Sequence, residues 1–170
     1  LGNFEKQKEL LERALKIKET NFGPDHPNTG STLDALGNAY GSLGNFEIQK
    51  ELLERALKIT EKNFGPYHPN TGITLTNLGN AYGKLGNVEK QKELLERALK
   101  INEKNFGPDH PNTGITLFHI GQLHKFLGNL KRALENTERA YKIFLNFPGF
   151  GPNHPYTKVA FQIIEDVKKK

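Results

Sequence analysis

The sequence predicts an all-α chain of antiparallel helix hairpins, stacked one on the next. Three observations carry this. A 42-residue unit, FGPxHPNTGxTLxxLGNAYGxLGNxExQKELLERALKIxEKN, opens at Phe22, Phe64 and Phe106, and its first two copies differ at only eight positions. A period of this length fixes the architecture before any local reading. Each unit also holds two apolar stripes of three- and four-residue spacing, separated by Gly, Pro and Asn. Finally, Gly37, Gly79 and Gly121 recur inside the first stripe. A mid-helix Gly costs ~1 kcal/mol against Ala, so its recurrence implies a neighbouring helix too close for a side chain.

The first helix of the second unit runs from Pro69 to about Lys84. Pro suits the first helical position, and His68 stands before it as the cap. Leu75, Leu78, Ala81, Tyr82 and Leu85 form its buried stripe, and Gly86 ends it. The second helix follows an Asn cap, as at Asn45, and stops at Gly65-Pro66. Phe46, Leu53, Ala56, Leu57 and Thr60 share one face, widened by Leu52 and Ile59. On the opposite face Glu51 with Arg55, and Glu54 with Lys58, are spaced for pairing along the helix.

At this point the unit resembles a tetratricopeptide repeat, in the 42-residue form of kinesin light chains and their relatives. Leu36, Gly37, Tyr40 and Ala56, then Leu78, Gly79, Tyr82 and Ala98, stand at the family's packing positions. The resemblance implies a right-handed superhelical solenoid. Two positions depart from it. Leu33, Leu75 and Leu117 replace a bulky aromatic, and Gln7, Gln49 and Gln91 replace a small residue that returns only at Ala133. The glutamines are expected to open the hairpin slightly or to point their amides to an edge.

In chain order, 1–170 is expected to form a single domain: 1–21 the second helix of a truncated repeat, 22–63, 64–105 and 106–149 full repeats, and 150–170 a capping helix. The chain has no Met, and is expected to begin inside a longer protein whose preceding repeat would cover Phe4, Leu11, Ala14 and Leu15. In the last helix Phe161 and Ile164 are expected to be buried with Ala160 and Val167, and Val159 and Ile163 part-covered. Glu165 and Lys168 stand where the repeats have the close-packing Gly and the Tyr. Such a helix caps an array and keeps it soluble. Lys168, Lys169 and Lys170 read as a solvated basic end.

Little chemistry is on offer. There is no Cys, hence no disulfide or thiol chemistry. No apolar run would span a membrane, no signal peptide is visible, and a cytoplasmic location is expected. His26, His68, His110 and His154 are one repeated position, roughly a repeat apart and too distant to share a metal; they read as caps. His119 and His124 do not share a helical face. No nucleophile elbow, phosphate loop or carboxylate pair is present. Neither enzyme, metal nor cofactor is expected. Lysines alternate with glutamates, which disfavours nucleic acid.

The resemblance implies that first helices line a concave face where such proteins bind extended peptides. The inward positions are Ser31, Asp34, Ala35, Asn38 and Ser42, then Ile73, Thr76, Asn77, Asn80 and Lys84, then Ile115, Phe118, His119, Gln122 and Phe126. Four of the eight differences between the first two units fall here. A groove tuned in each repeat gives this pattern, and so does drift at exposed positions. Asn38, Asn80 and Gln122 make an amide series able to bond a peptide backbone, or to bond a neighbouring loop. Phe118 and Phe126 either receive an apolar side chain or pack under the last helix. The candidate site is Asn38, Thr76, Asn77, Asn80, Lys84, Phe118, His119, Gln122 and Lys125. Asp34 and Thr76 stand where a carboxylate-tail clamp would place Lys. Kinesin light chains bind acidic, Trp-containing peptides, and the net charge of +5 is compatible with an acidic peptide or protein partner. The alternative is a spacer, or a segment that self-associates through its uncovered first helix.

Overall fold

A computed structural model describes residues 2–169. Leu1 and Lys170, placed by the sequence reading in the first helix and the basic end, lie outside the described residues. The described residues form eight helices and no strand: α1 Gly2–Phe22, α2 Pro27–Ser42, α3 Phe46–Phe64, α4 Pro69–Lys84, α5 Val88–Phe106, α6 Pro111–Phe126, α7 Leu130–Asn146 and α8 Pro155–Lys168. By compactness the chain divides into two units, 1–91 and 92–170.

The loop before each first helix is one device used four times. His26, His68, His110 and His154 accept through Nδ1 from the backbone N–H of Asn28, Asn70, Asn112 and Tyr156 at 3.1–3.3 Å. Each cap satisfies an N–H that the helix start leaves orphaned. Phe22, Phe64 and Phe106 stack on the first three imidazoles, with centroids 4.6–4.9 Å apart. Thr29, Thr71 and Thr113 donate back to the carbonyls of Gly23, Gly65 and Gly107 at 2.8–2.9 Å. These glycines sit at φ +91° to +95°, which a side chain would strain. At the second-helix starts, Asn129 Oδ1 caps α7 at 3.4 Å, whereas Asn45 makes no side-chain cap bond on α3.

In the first unit, α3 packs between α2 and α4, and α1 packs on α2. Leu33, Ala56 and Ile59 are its buried centre. A Cβ on Gly37 would stand 3.0 Å from Leu53 Cγ, and one on Gly30 would stand 2.9 Å from Ile59 Cγ2. The close approach inferred from Gly37 is thus present. In the second unit, Leu117, Phe118, Ala140, Phe144, Ala160 and Ile163 form a core shared by α6, α7 and α8.

The structure corrects several expectations. The side chains of Gln49 and Gln91 are buried, lying over Gly41 and Gly83 of the preceding helix. A Cβ on Gly41 would fall 2.5 Å from the Gln49 amide, and one on Gly83 would meet the Gln91 amide as closely. The long residue on one helix fills the space its partner leaves empty. In the third hairpin both members change together, to Lys125 and Ala133.

Along α3 the pair that forms is Glu47 with Lys50, three residues apart, and not the two expected from the four-residue spacing. Arg55 instead reaches Glu19 of α1 at 2.6 Å, and Glu54 accepts the Tyr82 hydroxyl of α4. The pattern recurs. Tyr40 donates to Glu12 at 2.6 Å, Arg139 pairs with Glu103 at 2.7 Å, and Lys168, at the Tyr position, pairs with Glu138 at 2.8 Å. These contacts latch neighbouring hairpins together.

On α8, Phe161 is 50% exposed rather than buried, while Ile163, at 6%, is in the core. Thr157, Ala160, Ile163, Ile164 and Val167 form the buried stripe. Phe161 occupies the place of Leu33 and Leu117, the side that a second helix covers in the hairpins. No described helix covers it, and it rests at 5.9 Å on the ring of Tyr141. Val159 is exposed rather than part-covered.

Candidate peptide-binding groove

The candidate groove lies between α2 and α4. Positions 31, 34, 35 and 38 recur at three- and four-residue spacing on α2, as do 73, 77, 80 and 84 on α4, so each set shares one face. Between the helices is a cavity of about 310 Å³. Ser31, Asp34, Ala35 and Asn38 line one wall and Ile73, Thr74 and Asn77 the other, with Thr60 and Phe64 of α3 also lining it.

Asp34 organises the polar part of this cavity. Its Oδ1 accepts from the amides of Asn77 at 2.8 Å and Asn38 at 3.2 Å, and its Oδ2 accepts the Thr74 hydroxyl. Burial pushes the carboxyl above its usual range, and the bonds from Thr74, Asn77 and Asn38 oppose that shift. Among the described residues, no other ionisable side chain lines the cavity.

The predicted site residues divide into three groups. Asn38 and Asn77 flank the cavity and are both engaged by Asp34, while Asn80 and Lys84 continue the α4 face, half-buried and exposed respectively. Thr76, 3% exposed, donates to the Gly72 carbonyl and is not a groove residue. Its inward position is covered, and its hydroxyl is turned back onto its own helix. Phe118, 3% exposed, is also a core residue, edge-on to Tyr156 at 5.3 Å, which realises the packing under α8. His119 is buried beside it, with Nδ1 3.1 Å from Gln122 Oε1. Lys125 pairs with Asp166 of α8 at 2.8 Å, and Phe126 is 76% exposed. In the third hairpin Phe118, His119, Gln122 and Lys125 therefore serve packing and pairing, whereas Phe126 stands exposed and does not pack under α8.

Sequence reasoning places Asp34 inward but gives it no part in the site. The available signal is that Asp34 and Ala35 are replaced by Thr76 and Asn77 in the next repeat. Thr74, Asn70 and Phe64 escape such reasoning because their counterparts are identical across the repeats. Among the described residues, no three His, Asp or Glu side chains gather to hold a metal, and no helix is long and apolar enough to cross a membrane.

The fold has clear relatives. BtubC (BKLC) from P. vanneervenii superposes with a TM-score of 0.80 at 21% identity, over 99% of this chain and 66% of that one. A kinesin light chain-like Podosopora anserina protein with nearly identical TPR-like repeats superposes at a TM-score of 0.73 with 24% identity, over 99% and 79% of the two chains. A point variant of that protein gives 0.74 at 24% identity, over 99% and 78%. These likenesses establish the fold, and the present chain spans 66% of the BtubC chain's length. No curated protein sequence matches significantly. The sequence model of the tetratricopeptide repeat matches residues 1–48, 50–90 and 84–146. On that match, which covers most of its length, the chain belongs to the tetratricopeptide repeat family.

Proposed function

We propose that the chain is a non-catalytic interaction module that holds an extended peptide segment of a partner protein in the groove between α2 and α4. Tetratricopeptide repeats generally serve protein interaction or scaffolding. One observation supports the finer reading most. The cavity is walled by the inward positions of two successive first helices, and Ser31/Ile73, Asp34/Thr76 and Ala35/Asn77 are among the few differences between near-identical repeats. A volume of about 310 Å³ is at the small end for ligand sites and suits one peptide side chain. Lys84, exposed on the same face of α4, offers a partner for an acidic residue of the bound segment. The expected affinity is micromolar, ~−8 kcal/mol. A cytoplasmic setting belongs to the same reading.

The test is a random-peptide display selection, with Ser31→Trp as counter-target. Ser31 is exposed at the cavity wall, so the indole blocks the groove without entering the core. Peptides that bind the parent and lose the variant are the expected result. Enrichment of peptides that bind both alike would overturn the reading.

A second reading, self-association, is favoured by α1. Phe4, Leu10 and Ile17 are exposed apolar residues on this helix. A mass that rises with concentration in sedimentation would favour it, and a constant monomer mass would remove it.

A further inference from the structure

Taking the groove reading as its basis, we infer that the cavity between α2 and α4 selects a basic side chain, lysine or arginine, of the bound peptide, with the Asp34 carboxylate as its counter-ion. Asp34 lies in the cavity wall with no lysine or arginine among the lining residues. Its Oδ1 is occupied by Asn38 and Asn77, whereas among the described residues Oδ2 receives only Thr74, so an acceptor position remains for an ammonium or guanidinium.

Three neutral donors fix the carboxylate without neutralising its charge. The other lining groups suit the rest of such a side chain. Ala35, Ile73 and the Phe64 ring provide an apolar surface for the methylene stem, in the way long cationic side chains ordinarily bury their stems. Burial raises the cost of the bare carboxylate and strengthens its attraction for a cation that excludes water. The feature is confined to one hairpin. The same position holds Thr76 and Phe118 in the next two, both buried, so the basic residue would be read at one point of the peptide.

The experiment uses the full chain and a random twelve-residue display library, sorted in parallel on the parent, Asp34→Asn, Asp34→Thr and Ser31→Trp. Asp34→Thr introduces the residue that the second repeat carries, and circular dichroism confirms that each variant is folded. The inference expects parent-selected peptides to share a lysine or arginine and to lose binding to Ser31→Trp. Those peptides should bind both Asp34 variants at least ten-fold more weakly. If peptides are blocked by Ser31→Trp but share no basic residue, or bind Asp34→Asn within two-fold of the parent, the inference fails and the groove reading stands. If no peptide is selected, or selected peptides ignore Ser31→Trp, both fail.

Discussion

The pairing of Gly41 with Gln49 supports a quantitative test of how the hairpins are built. A Cβ at position 41 would fall 2.5 Å from three atoms of the Gln49 amide, where ordinary carbon contacts lie at about 3.5–4.0 Å. Gly41→Ala therefore forces the amide to move by roughly 1 Å in a site where Gln49 is only 3% exposed. Overpacking of this kind costs ~1–3 kcal/mol, and the gain in helix propensity returns ~1 kcal/mol. The single variant should be destabilised by ~0–2 kcal/mol. Gln49→Ala removes an amide whose Oε1 has no hydrogen-bond partner among the described residues. The relief of ~1–3 kcal/mol roughly offsets the lost burial of two methylenes at about 0.8 kcal/mol each. In Gly41→Ala/Gln49→Ala the clash is gone and the propensity gain is kept in full. The double variant should match or exceed the parent, with a favourable coupling of ~1–3 kcal/mol. Urea unfolding of the four proteins, followed by circular dichroism, measures this. Coupling below ~0.5 kcal/mol, the range of independent sites, would refute the packing argument.

Other outcomes follow from the same structure. Phe144→Ala, at a fully buried position, should cost ~3–5 kcal/mol, whereas Phe161→Ala should cost well under half as much, since that ring is half exposed; thermal unfolding separates them. Tyr82→Phe removes the hydroxyl that Glu54 accepts between successive hairpins, and should cost ~0.5–1.5 kcal/mol in urea unfolding. Asp34 has a folded-state pKa above its unfolded value, so the native state takes up its proton more readily. Its ionisation therefore opposes folding above the folded pKa, and that penalty fades as pH falls through this value toward the unfolded ~3.9. The stability of Asp34→Asn relative to the parent should accordingly be greatest near pH 7 and decline as pH falls through that window. A difference that does not change with pH would contradict the assigned shift.

Much of this was legible from the repeat. The prolines, histidines and asparagines at the helix starts and the glycines at their ends are local signals, and the helices begin and stop at them. What was not legible depends on a neighbour. The spacing of Glu54 and Arg55 fits pairing along α3, but packing brings Tyr82 and Glu19 within reach, and those contacts prevail. Phe161 fits a buried stripe by spacing alone, yet only a second helix would bury it. The joint change of Gly41 and Gln49 to Lys125 and Ala133 was visible in the sequence, but its meaning needed the two positions to face one another. In the groove, spacing put positions 31, 34, 35 and 38 on one face of α2 and 73, 77, 80 and 84 on one face of α4, while the burial of Thr76 and Phe118 depended on what covers them.

The most direct test of the groove is backbone-amide NMR of the labelled chain, titrated with a peptide from the display selection. The account predicts saturable shifts on Ser31, Asp34, Asn38, Ile73 and Asn77, the residues of the α2–α4 cavity. Shifts confined instead to Phe4, Leu10 and Ile17 of α1, with the cavity residues unmoved, would contradict it.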